Sequence, residues 1–129
     1  MTRSEEAEHL YRRSSEFQET ADFQLERGFY ALAVFNAEQS LQLWLKAKLL
    51  EEGATFPQTH GVRSPMELLS NIADENTGKQ IKKLMDLYLI ELGALEDAYI
   101  ASRYLMRDYK KEEAERLLKA VKEITENVH

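Results

Sequence analysis

Both prolines of the chain, Pro57 and Pro65, and two of its five glycines fall inside one stretch, "GATFPQTHGVRSP", from Gly53 to Pro65. Proline lacks the amide donor a helix needs, and glycine loses more backbone freedom than other residues on entering one. With both gathered into one loop, the sequence on either side is free to form long helices. Ahead of the loop, Ala7, Leu10, Ser14, Phe17, Ala21 and Leu25 recur in alternating threes and fours, which places them on one helical face. A first helix is expected over about residues 4–26, with Gly28 as a joint. A second, greasier helix is expected over about residues 29–52, with Gly53 as its stop. Its small-residue stripe, Ala33, Ala37, Ser40 and Ala47 around Trp44, lets a neighbouring helix come close.

After the loop, Ser64-Pro65-Met66-Glu67 has the pattern of an N-cap, a proline at the first helical position and a capping-box glutamate. A short helix over about residues 65–73 is expected there, ended by "DENTG". A fourth helix, over about residues 78–98, would turn Ile81, Leu84, Met85, Tyr88, Leu92 and Leu95 inward, with Gly93 at a close helix crossing. A last helix, over about residues 111–127, would bury Ala114, Leu117, Leu118, Val121 and Ile124. No run alternates with period two, so no sheet is expected. The expectation is an all-α fold: an antiparallel up-and-down four-helix bundle with a short additional helix after the central loop, residues 1–129 forming one domain.

Several function classes are disfavoured. The chain has no cysteine, which removes disulfides and thiolate metal sites. Its N-terminus is acidic and lacks the apolar core of a signal peptide, and no apolar run approaches the roughly 20 residues needed to span a bilayer. The expected address is the cytoplasm, with no membrane partner. A formal net charge of −6 argues against indiscriminate nucleic-acid binding, DNA included, because such binding depends on cations displacing counterions from phosphate. Glu6-x-x-His9 and Glu126-x-x-His129 match the Glu-x-x-His pairs of di-metal bundles in form, but both lie at chain ends instead of mid-bundle. No metal site, cofactor or catalytic nucleophile is expected.

One stretch runs against the acidic balance. "AYIASRYLMRDYKK", Ala98–Lys111, gathers Arg103, Arg107, Lys110 and Lys111 with Tyr99, Tyr104 and Tyr109. If helical, Arg103 and Arg107 share a face and repel mildly, a cost that an anion would relieve. That anion is either a ligand phosphate or a protein carboxylate. Glu38, in register with Val34, Leu41 and Leu45, is a possible structural partner for Arg103, since a carboxylate among apolar neighbours calls for a cation.

Three segments, in this order and spacing, resemble the HEPN family: "FYALAVFNAEQSLQLWLKAKLL", "FPQTHGVRSPMELL" and "YIASRY". The resemblance covers nearly the whole chain. It implies a helical bundle, usually a homodimer, often paired with a minimal nucleotidyltransferase as toxin with antitoxin. Many members of the family are metal-independent ribonucleases with an Arg-x(4–6)-His motif. Arg103 matches the arginine, but Asp108, Tyr109 and Lys110 occupy the positions open to the histidine. The resulting expectation is a binding or regulatory module without strong catalysis. Arg103 and Tyr104 would form a nucleotide- or RNA-phosphate site, with Arg107 and Tyr109 at its margin. The alternatives are a ribonuclease toxin and a purely structural dimeric scaffold. His60, in the Thr-His pair of the linker, is expected to cap the loop.

Overall fold

The computed structural model describes residues 1–57, 61–99 and 107–128. Among these residues all regular secondary structure is helical: α1 (Arg3–Glu26), α2 (Tyr30–Glu51), α3 (Arg63–Ile72), α4 (Glu75–Leu87), α5 (Leu89–Tyr99) and α6 (Lys111–Asn127). None of these helices is long and apolar enough to cross a membrane.

α1 begins with a complete capping box. The Thr2 hydroxyl accepts from the Glu5 amide at 3.1 Å, and the Glu5 carboxylate reaches back to the Thr2 amide. Glu5 and Glu6 place negative charge at the positive end of the helix dipole. α1 and α2 each end in a glycine with φ near +80°, Gly28 and Gly53. At Gly53 the amides of Gly53 and Ala54 return to the carbonyls of Leu50 and Leu49; at Gly28 those of Gly28 and Phe29 return to Leu25 and Gln24. Both are Schellman motifs, which need a residue that tolerates a left-handed backbone.

The buried positions of α1 are all small: Ala7, Ser14 and Ala21. They face the small stripe of α2, where Ala33, Ala37, Ser40 and Ala47 are sealed with Trp44. The two helices run antiparallel, as the pairs Tyr11–Glu51, Ser14–Ser40 and Gln24–Asn36 require. At the middle of the seam the Ser14 hydroxyl donates to the Ser40 carbonyl at 2.8 Å. The Ser40 hydroxyl returns a bond to the Ser14 carbonyl at 2.9 Å. α2 carries the core on its other faces through Val34, Leu41, Leu45 and Leu49, against which α3, α5 and α6 pack. α6 has the expected bounds and buries the expected residues, with Ala120 in addition. Gln18–Thr125 and Asp22–Lys122 tie it back to α1.

Four local expectations are corrected. α3 starts at Arg63, two residues before Pro65, and its N-cap position is Val62, whose side chain cannot cap. The sequence "DENTG" does not separate two helices but opens the second. Asp74 is the N-cap of α4, accepting from the Thr77 amide at 2.9 Å and the Thr77 hydroxyl at 2.8 Å. The expected fourth helix is two helices, interrupted at Tyr88. The helical bonds on either side survive, Tyr88 amide to Leu84 carbonyl and Leu92 amide to Tyr88 carbonyl. The break is thus one residue wide, and the apolar period runs across it without a change of phase. Finally, the close crossing falls at Gly78 and not at Gly93. A Cβ on Gly78 would lie 2.4 Å from the Ser70 carbonyl oxygen, whereas one on Gly93 would, among the described residues, meet nothing nearer than the Arg63 side chain at 3.8 Å.

The serine pair sets a test of the seam. Ser14→Ala should destabilise by about 1 kcal/mol through the lost buried bond. Ser14→Leu should cost more, about 1–3 kcal/mol, by forcing the helices apart. Urea midpoints at constant m-value measure both.

Candidate functional site

The segment Arg107–Lys110 is not helical; it leads into α6 at Lys111. The premise that Arg107 shares a helical face with Arg103 therefore fails at Arg107. Arg103 and Tyr104 themselves, with His60 and His129, lie outside the described residues, as does any Arg103–Glu38 pair.

Arg107 is held by two neighbours. Its guanidinium carbon sits 4.2 Å from the centre of the Tyr109 ring, and its Nη2 donates to Glu113 Oε2 at 2.6 Å. The other oxygen of Glu113 accepts from the Lys110 amide at 3.0 Å. Glu113 thus caps α6 and neutralises Arg107 at once. Lys110 has no acceptor in its side chain, so only this half of a capping box can form. Tyr109 belongs to the core and is 6% exposed. Burial pushes its phenol up, with the charge of Arg107 pulling the other way. Asp108, between them, is exposed.

These residues meet the joint between α1 and α2 across a cleft of about 290 Å³. Gly28, Phe29 and Leu32 line one part of it, and Arg107, Asp108 and Tyr109 the other. α2 starts here without a side-chain cap. Phe29, which the sequence reading did not single out, lines this opening, and Arg27 lies 5.8 Å from the centre of its ring; the signal for them was an aromatic on each side of an arginine at a helix end. A second cleft of about 300 Å³ lies between the end of α2 and the α3–α4 turn. Glu51, Glu52 and Asp74 line it with Lys48 as the opposing cation, so its charge is wrong for phosphate.

Glu38 is more deeply placed than expected, at 1% exposure. Among the described residues its hydrogen-bond partner is Gln42, whose Nε2 donates at 2.6 and 3.3 Å. Burial, against the Gln42 bond and helped by the charge of Glu96, pushes its carboxyl up to about 7. Glu96, on α5, has the opposite fate. It receives the Arg63 Nε and Nη2 at 2.9 and 3.0 Å and the Arg63 amide at 3.0 Å. Burial raises its carboxyl, but the Arg63 bonds outweigh that and hold it below the usual range. Glu96 therefore caps α3 from another helix, in place of the expected Ser64–Glu67 box. Gly61 leaves room for it, since a Cβ there would lie 2.7 Å from the carboxylate.

No group of histidines and carboxylates able to hold a metal occurs among the described residues. His9 and Glu6 of the first Glu-x-x-His pair point to solvent.

Glu38 fixes a pH dependence. Between its ordinary value of 4.5 and about 7 the folded protein keeps a proton that the unfolded chain releases, so stability falls as pH rises through that window. Glu38→Gln, which stays neutral, should match the wild type near pH 4.5 and exceed it by about 2–3 kcal/mol at pH 8. Denaturant titrations at the two pH values measure the difference.

Among known proteins, the family model described as HEPN domain matches residues 7–129. No curated protein matches the chain, and no solved structure does.

Proposed function

Because the chain belongs to the HEPN domain family, we propose that it is a nucleotide- or RNA-phosphate-binding module without strong catalysis. The site is centred on Arg103 and Tyr104, with Arg107 beside it. One observation carries the absence of catalysis. The three positions open to the motif histidine hold an exposed Asp108, a core-packed Tyr109 and the N-cap Lys110. None is an imidazole that could exchange a proton near neutral pH. An ionised carboxylate at Asp108 would repel a scissile phosphate.

In this reading the module acts as a homodimer in the cytoplasm with a minimal nucleotidyltransferase as its partner, as the resemblance of its three sequence segments to the family implies. The six described helices fit one domain whose four long rods are α1, α2, the broken pair α4–α5 and α6, with α3 as the insert. In the runner-up, a ribonuclease toxin, Arg103 would assist cleavage. In the scaffold reading, Arg103 would neutralise Glu38, and Glu38→Gln would then destabilise the protein at pH 8.

Purified protein incubated with RNA in the absence of metal should leave it uncut. Arg103→Ala should weaken RNA binding by about tenfold or more, the loss of one charge-assisted contact. Arginine-dependent cleavage would replace this reading with the toxin.

A further inference from the structure

Arg27 closes α1, and its guanidinium stands between two rings. It lies 5.7 Å from the centre of Phe23 and 5.8 Å from that of Phe29. The rings are 56% and 49% exposed, and Leu32 beside them is 41% exposed. Two phenylalanines left half in water at one joint are not serving the core. They do hold the arginine: contact with aromatic faces restricts a side chain that would otherwise sample many rotamers. Among the described residues no carboxylate comes within ion-pair distance of Arg27, whereas Arg107 is paired with Glu113. Phe29 also lines the cleft that Arg107 and Tyr109 enclose.

We infer that Phe23, Arg27 and Phe29 form a platform for single-stranded RNA, on which a base stacks on Phe29 and the adjoining phosphate pairs with Arg27. This rests on the phosphate-binding reading above and names a subsite for it. Flat exposed rings interleaved with a cation are what single strands bind without sequence preference, because every base offers a π face and every linkage a charge. Arg27 supplies a cation that no described carboxylate neutralises, and the rings fix where it points. Exposed Asp108 at the far lip disfavours a phosphate there, which directs the strand's backbone toward the Arg27 side. A nearby carboxylate, Glu26, is also exposed and faces solvent from the last turn of α1.

The test is fluorescence anisotropy with a labelled single-stranded RNA of about ten nucleotides. Wild type, Phe29→Ala, Arg27→Gln and Arg103→Ala are compared over a salt series. Phe29→Ala should weaken binding about tenfold, as loss of one stacking partner does. Arg27→Gln should weaken it and make the dependence of log affinity on log salt shallower by about 0.7, one phosphate contact on a single strand. Both changes are at exposed side chains, and unchanged melting temperatures check that the fold is intact. If both variants bind like wild type while Arg103→Ala does not, the platform is wrong and the broader reading stands. If wild type binds no RNA, both fall. If Phe29→Ala alters the sedimentation coefficient and leaves RNA affinity unchanged, the patch is a contact between protein chains and the platform is wrong.

Discussion

The structure depends on how closely α1 can approach α2. Alanine and serine at Ala7, Ser14 and Ala21 leave nothing to hold the helices apart, and the facing residues of α2 are as small. Two hydroxyls buried in such a seam would cost more than they return unless each found an acceptor. Ser14 and Ser40 solve this reciprocally, each donating to the other's backbone. The exchange is possible only at one separation and one register. It therefore selects the register that the alanines alone would leave free to slide. Once that hairpin is fixed, the remaining faces of α2 are the surface on which α3, α5 and α6 are laid.

The same register decides what happens at the ends. With α1 and α2 locked side by side, the chain must reverse within Arg27–Phe29, and the Schellman motif at Gly28 does so. The Phe23 and Phe29 rings flank this reversal and are half exposed. They stay at the surface with Arg27 between them, next to the segment that leads into α6. The candidate interface thus lies at the end of the seam, where the chain reverses.

Much of the fold was legible because it is written in side-chain size and period. The stripes of α1 and α2, the stops at Gly28 and Gly53 and the whole of α6 follow from spacing and from glycine at the helix ends. What spacing could not show are the features made by distant partners. α3 begins early because Glu96, more than thirty residues later, supplies the cap that Ser64 was expected to give. The break at Tyr88 leaves the apolar pattern in phase, so no periodicity registers it. Asp74 and "DENTG" have the composition of a loop and the chemistry of an N-cap, and the second won because Thr77 stood in the right place. At the candidate site the basic stretch was visible, but the pairing of Arg107 with Glu113 and the burial of Tyr109 were not. Arg27 and Phe29 drew no notice because, in sequence, they belong to a joint.

An acidic chain can receive a phosphate only where its cations are not already neutralised. Arg13, Arg63, Lys79, Arg107 and Lys122 each face a carboxylate within ion-pair distance. A ligand approaching any of them must displace that carboxylate or accept a weakened field. Glu113 makes the point at the candidate site, because it also holds the Lys110 amide and cannot withdraw without uncapping α6. Arg107 is therefore better suited to orient Tyr109 and shape the cleft than to carry the main charge of a ligand. That role passes to cations held by rings instead of by acids, since an aromatic face positions a guanidinium without cancelling it. Arg27 meets that condition, and it lies against Phe29, which lines the same cleft.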